Sequence, residues 1–362
     1  MLRWRYGTVT AIRRRWRGCA ELDVSIEART PDDRTQARAL AYVALVGEPR
    51  VGDRLLLNCN ALAKGLGTGG YALVVALPDR LPADVDAPGH IVKARYTPQQ
   101  AMTLAVDEDD SPHREVMAAA SDVAGMPVVV ADLHSALPAI LAGVHADAPD
   151  ARVAYVMTDG GALPAWFSRT LDGLDDRLAG TVTVGQAFGG DLEAANVHTG
   201  LLAARHVLDA DVAVVAQGPG NLGTGTEWGF SGVACGDAVN AAAALGGLPV
   251  ASLRISDADA RQRHVGVSHH SITAYGRVAL AAADVPAPQG LPAALADKVD
   301  DQLRPLAERH RVVSVPEAGL VEAMRALPVK LSTMGRGLDE DMPYFLGCAA
   351  AGRHAASLLR RD

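Results

Sequence analysis

Apolar and polar positions alternate along five short segments of the first eighty residues, YGTVTAI, CAELDVSIEA, ARALAYVAL, DRLLLN and YALVVAL, each bounded by Gly, Pro or Asp. A period of two marks a strand with one buried face. Residues 1–80 are therefore expected to form a small β-barrel or sandwich. The proline-bearing stretch LPDRLPADVDAPG follows, and a linker is expected over 81–90.

Beyond residue 90 the rhythm changes. PVVVADL, RVAYVMT, TVTVGQA, DVAVVAQ and PVASLRI are continuous apolar runs, and helical stretches such as PAWFSRTLDGLDDRL and DLEAANVHTGLLAARHVLDA lie between them. Uninterrupted apolar strands alternating with helices predict a doubly wound, mainly parallel sheet with helices on both faces. This α/β, Rossmann-like domain is expected over 91–285. A helical part packing on it is expected over 286–362, around the short strand RVVSV. Right-handed crossovers place the strand-to-helix loops on one edge, where open α/β sheets bind ligands.

Composition narrows the function classes. Nearly half of the 362 residues are hydrophobic and 4% are aromatic, so the core is built from Ala, Val and Leu. The net charge of −8 speaks against a nucleic-acid partner, because neutralising phosphates needs a cationic face. Six arginines between Arg3 and Arg17 make the N-terminus locally basic, the pattern of a solvated barrel edge or of a contact with an acidic partner. Cys19, Cys59, Cys235 and Cys348 stand apart with no CxxC spacing, which favours neither disulfides nor structural zinc and fits a reducing cytoplasm. No apolar signal region and no apolar run of spanning length occur, so neither export nor a membrane partner is expected.

Six loops carry residues that merely turning the chain does not require. ADLHSALP holds Asp132, His134 and Ser135, for which helix capping is an alternative role. VMTDGGALP places Thr158 and Asp159 before two glycines that permit close backbone approach. VGQAFGGDLEAAN offers Gln186, Asp191 and Asn196, with Asp191 read as a helix N-cap and Asn196 one turn inside. In QGPGNLGTGTEWGFSG, Gly218, Gly220 and Gly223 match G-x-G-x-x-G, beside Asn221. The match is weak as a dinucleotide fingerprint: further glycines delay the helix, and Asp257 lies 34 residues after Gly223, where about 20 are expected. Successive backbone N–H groups with the hydroxyls of Thr224 and Thr226 suit an anion nest instead. GLGTGG, at 65 to 70, echoes this stretch.

The fifth loop, RISDADARQRHVGVSHHS, is the richest. Arg254, Arg261 and Arg263 accompany Asp257, Asp259, His264, His269 and His270. Arginine forks suit phosphate or carboxylate, and histidines supply acid–base chemistry or metal ligation. The histidine spacing matches no helical metal signature, and adjacent His269 and His270 face different directions in regular structure. In the sixth loop, STMGRGLDEDMPYF, Arg336 sits between two glycines and is expected to reach the cleft.

The motifs VMTDGGALP, AFGGD, GPGNLGTGT, RHVGVSHHS and GRGLDED, in that order, resemble a bacterial family catalogued as domain of unknown function 3866. The likeness spans almost the whole chain. It implies an intracellular bacterial protein without an assigned activity, and it transfers no catalytic residue.

The expectation is a cytoplasmic protein, an enzyme of transferase or hydrolase type, that takes a small anionic, phosphorylated or nucleotide-like molecule at the carboxyl edge. Residues 218–226 would cradle it, Arg254, Arg261 or Arg263 would clamp it, and Asp159, His264, His269 or His270 would move protons. One rival is a metal-dependent hydrolase using Asp132, His134, Asp159 and the histidine cluster. Another is a non-catalytic ligand sensor or assembly protein. The Ala-rich segments AVNAAAALGG and FLGCAAAGRHAA permit a homodimer or ordinary core packing. No cofactor or metal is specified by the sequence.

Overall fold

The computed structural model describes residues 2–31, 33–66 and 70–359, so residues 67–69 of GLGTGG lie outside the described residues. Two compact units divide the chain, one of Met1–Pro88 with Val92–Met102, the other of Gly89–Ile91 with Thr103–Asp362.

The first unit is a closed barrel. Strands β1 (Trp4–Trp16), β2 (Cys19–Ile26), β3 (Gln36–Tyr42), β4 (Arg54–Asn58) and β5 (Tyr71–Ala76) join in the order β1-β2-β3-β5-β4. β1 pairs with both β2 and β4, which closes the ring, and β3 runs parallel to β5. Register shifts between Val9 and Ala11 and between Ile12 and Arg14 interrupt the β1–β2 ladder, the irregularity that lets a long strand bend. Val9, Leu22, Val24, Leu55, Leu57, Ala72 and Val74 fill the interior. The predicted strand ARALAYVAL stops at Tyr42, because Val43–Val46 turns helical. Part of the N-terminal basic run is balanced within the unit. Arg5 pairs with Asp33 at 2.9 Å, Arg13 with Asp23 at 2.7 Å, and Arg15 with Glu48.

The second unit is built on eight parallel strands. These are β6 (Pro127–Val130), β7 (Val153–Thr158), β8 (Gly180–Val184), β9 (Leu192–Ala194), β10 (Val212–Gln217), β11 (Leu248–Ala251), β12 (Asp284–Pro288) and β13 (Arg311–Val315). Their order is β9-β8-β7-β10-β6-β11-β12-β13. The apolar runs read as buried strands do form this sheet, and it continues past residue 285, since β12 and β13 pair in parallel at its edge. Residues 286–362 are thus not purely helical.

The chain builds the sheet outward from β6 in one direction, then returns through β10 and builds the other way. α1 (Leu137–Asp147), after β6, packs in the core of one face. α2 (Val197–His206) and α3 (Cys235–Ala244), after β9 and β10, pack in the core of the other. The crossovers leaving the adjacent strands β6 and β10 therefore diverge to opposite faces, which opens a crevice at their carboxyl ends.

Two expected helices are shorter than their patterns. Over PAWFSRTLDGLDDRL only Arg169–Asp172 is α-helical, capped by Ser168 accepting from Leu171 N and ended at Gly173. The second begins at Val197 rather than near Asp191, because Leu192–Ala194 joins the sheet and Asn196 caps the helix reciprocally with Thr199. The remaining helices include α4 (His269–Thr273), which runs into a π-helical turn, α5 (Ala293–Leu303) and α6 (Met342–Leu358). α6 crosses α1 at two glycines: a Cβ at Gly143 would overlap the Ala349 carbonyl, and one at Gly352 the Ile140 carbonyl. The small residues of FLGCAAAGRHAA are thereby consumed inside the fold and carry no argument for a dimer. Among the described residues, no helix is long and apolar enough to cross a membrane.

Candidate functional site

At the carboxyl ends of β6 and β10, Gln217 donates through Nε2 to the carbonyl of Asp132 at 2.7 Å and to Asn221 Oδ1 at 3.1 Å. This bond ties the two divergent loops across the crevice, whose lining also includes Thr158, Ser231 and Cys235. The Asp132 side chain is buried and caps no helix; its Oδ2 has no hydrogen-bond partner.

Three histidines converge beside it. A turn at Gln262–His264 and a short strand Gly266–Val267 lead to Ser268, where α4 starts. The Ser268 hydroxyl accepts from His270 N at 3.2 Å and lies 2.7 Å from His264 Nδ1. With Nδ1–H donated to Ser268, the lone pair of His264 is carried on Nε2. That nitrogen is buried without a hydrogen-bond partner, as are His269 Nε2 and His270 Nδ1. Each of the three imidazoles offers one nitrogen, and these atoms lie within 4.8 Å of one another.

Adjacent His269 and His270 were expected to diverge, yet their ring centroids are 4.5 Å apart. They occupy the first turn of a five-residue helix, where ring rotation and the incoming turn, not helical period, decide direction. Phe230 closes the cluster from the glycine-rich loop, stacked on His270 at 3.9 Å and edge-on to His269 at 5.8 Å.

The electrostatics keep His264 and His269 neutral. Burial first, then the cations Arg254 and Arg261, push His264 down to about 3. Burial, His270 and Arg263 push His269 down to about 4. Burial alone would raise Asp132, but His270 and Arg254 outweigh it and hold the carboxyl below its ordinary range. Asp132 Oδ2 lies 3.5 Å from His270 Nδ1 and 3.8 Å from Arg254. Neutral imidazole and ionised carboxylate are the forms that bind metal ions.

An ion network frames the cluster. Asp259, buried, receives Arg261 through two bonds of 2.9 and 2.8 Å, and meets Arg254 at 3.4 Å and Arg336 at 3.6 Å. Arg261 above all holds the Asp259 carboxyl well below its ordinary range. Arg336 also donates to Asp341 at 2.9 Å, and Asp341 accepts from Ser256 at 2.8 Å. These arginines are braces between loops.

The other sequence candidates fall elsewhere. Asp159 is exposed and accepts from Gln186 N at 2.8 Å, bracing the loop after β8. Asp191 accepts from Thr181 N at 2.7 Å, and Asn196 is the cap of α2. Thr158 accepts through its carbonyl from Gly218 N at 3.1 Å. Gly220 adopts φ 93° and Gly223 bridges to Phe230, so both shape the loop. Thr224 and Thr226 hydroxyls face each other at 3.0 Å, and Asp257 is exposed. His134 is separate from the cluster: buried, it bonds Tyr155 at 3.0 Å and Ser168 at 2.7 Å, and Ser135 bonds Tyr344 at 2.8 Å. Ser268 and Phe230 were not singled out from the sequence. The adjacency of Ser268 to the histidine pair was the available signal for the first; Phe230 had none.

A family model described as Protein of unknown function (DUF3866) matches residues 38–352, and the chain belongs to that family. No curated protein and no solved structure matches it.

Proposed function

We propose that this member of a family of unknown function is a metal-dependent hydrolase, its ion held by His264, His269 and His270. The reading rests on one observation: three imidazole nitrogens within 4.8 Å of one another, in a cluster where His264 Nε2, His269 Nε2 and His270 Nδ1 are buried without a hydrogen-bond partner. A buried polar atom left unpaired costs about 1–3 kcal/mol, and an ion shared by the cluster would remove that cost. Imidazole donors suit zinc and its transition-metal neighbours.

Three protein ligands leave a coordination position for water, whose pKa such an ion lowers to near 7. The surrounding residues have definable tasks. Ser268 would hold the ring of His264, Asp132 would set a negative charge beside His270 Nδ1, and Phe230 would shield one face of His270 from solvent. His134 and Asp159 drop out of the ligand set considered from the sequence, since both are spent on bonds of their own.

Elemental analysis of the purified full chain tests this. About one equivalent of zinc or a similar ion is expected, and the double variant His264→Ala with His269→Ala should lose it. Hydrolysis of p-nitrophenyl esters should fall by roughly a hundredfold or more in that variant. Native protein equilibrated with zinc, manganese and iron that retains no more ion than the variant would overturn the proposal.

A further inference from the structure

We infer that Arg263 is the anion anchor of this centre, a guanidinium that takes two oxygens of a phosphate or carboxylate group on the substrate. For its substrate the inference rests on the hydrolase reading above.

Arg254, Arg261, Arg263 and Arg336 all belong to the loops around the cluster, and three of them are committed. Arg254 faces Asp132 and Asp259, Arg261 chelates Asp259, and Arg336 bridges Asp259 and Asp341. Arg263 is exposed and, among the described residues, has no carboxylate within ion-pair range. It precedes the buried His264 in the same turn.

The glycine-rich loop lies alongside this side chain. A Cβ at Gly225 would stand 3.5, 3.6 and 3.8 Å from Nη2, Cζ and Nη1 of Arg263, and Gly225 adopts φ 85°, which glycine tolerates without strain. The guanidinium therefore lies beside this loop, with room for a methyl group between them. The Thr224 and Thr226 hydroxyls, by contrast, are turned on each other and on the Gly229 carbonyl. The anion chemistry expected of this loop passes from its hydroxyls to the arginine lying on it.

An unpaired cation beside a three-histidine ion site accumulates positive charge, which is costly unless an anion joins it. The planar guanidinium fork matches two oxygens of phosphate or carboxylate. In a chain of net charge −8, such a local cation is also what draws an anionic substrate to this edge.

The test is calorimetric titration of the zinc-equilibrated full chain with inorganic phosphate, and separately with acetate, for native protein, Arg263→Gln and Arg263→Lys. Arg263→Gln should bind the anion at least about tenfold more weakly while keeping native zinc content, with Arg263→Lys in between. Equal affinity of native and Arg263→Gln protein, or no anion binding by native protein at millimolar concentration, would overturn the inference. If neither protein holds zinc yet anion binding still depends on Arg263, the hydrolase reading fails and the anchor stands.

Discussion

Phe230 and His270 lie ring on ring, 3.9 Å between centroids and 1° from parallel. Forty residues separate them, yet through this contact the glycine-rich loop roofs the histidine cluster. Phe230→Ala should lower the unfolding free energy by about 3–5 kcal/mol, whereas Phe230→Leu should cost less than about 1.5 kcal/mol. Denaturant melts check both, and an alanine variant as stable as the native chain would mean that the roof is not packed.

Ser268→Ala removes the hydroxyl that lies 2.7 Å from His264 Nδ1. Loss of such an outer partner weakens metal affinity about 10–100-fold. Competition with a chelator measures it.

Metal should also act on stability. Free zinc at a hundred times its dissociation constant is expected to add about 2.7 kcal/mol to unfolding. Thermal melts with and without chelator should separate for the native chain and coincide for the His264→Ala, His269→Ala variant.

The crossing of α1 and α6 depends on two hydrogens. Gly143→Ala or Gly352→Ala drives a methyl into a facing carbonyl, and overpacking of this kind costs about 1–3 kcal/mol or more. A melt showing no loss would imply that the helices can part without penalty.

His310 gives a pH signature of its own. Its Nδ1 accepts from Ala283 N at 3.1 Å and its Nε2 donates to the Tyr275 carbonyl at 2.8 Å, an arrangement only the neutral ring can make. Burial lowers its pKa; the Tyr275 bond opposes this and Arg309 adds to it. The unfolded chain therefore takes up the proton first. The stabilisation is complete above the ordinary histidine value of about 6.5 and is lost as pH falls through the lowered one. Urea melts between about pH 7 and 5 should show a shallower slope for His310→Gln than for the native chain.

Local pattern carried the strands well, because period two and continuous apolar runs record which faces are buried. The parallel sheet follows from that record, whereas alternation left barrel and sandwich both open until β1 was seen to pair with both β2 and β4. Caps were harder: Asp191 and Asn196 are both good capping residues, and what decided between them was pairing of Leu192–Ala194 with β8, a non-local event. The richness of the Arg/His loop was legible, but its division of labour was not. Which arginine stays unpaired depends on Asp132 and Asp341, far away in sequence, and the convergence of three histidines depends on a turn that no periodicity encodes. His134 likewise looks available until Tyr155 and Ser168 claim both its nitrogens.

The ring formed by β1 through β5 closes where Trp4–Thr8 of β1 pairs with β4. A macromolecule recognising this ring is consequently offered mainly side chains and loops, because closure occupies much of the ladder on which a further strand could build. Specificity there would be written in arginines, tryptophans and turns, and single substitutions on the outer surface would be enough to rewrite it.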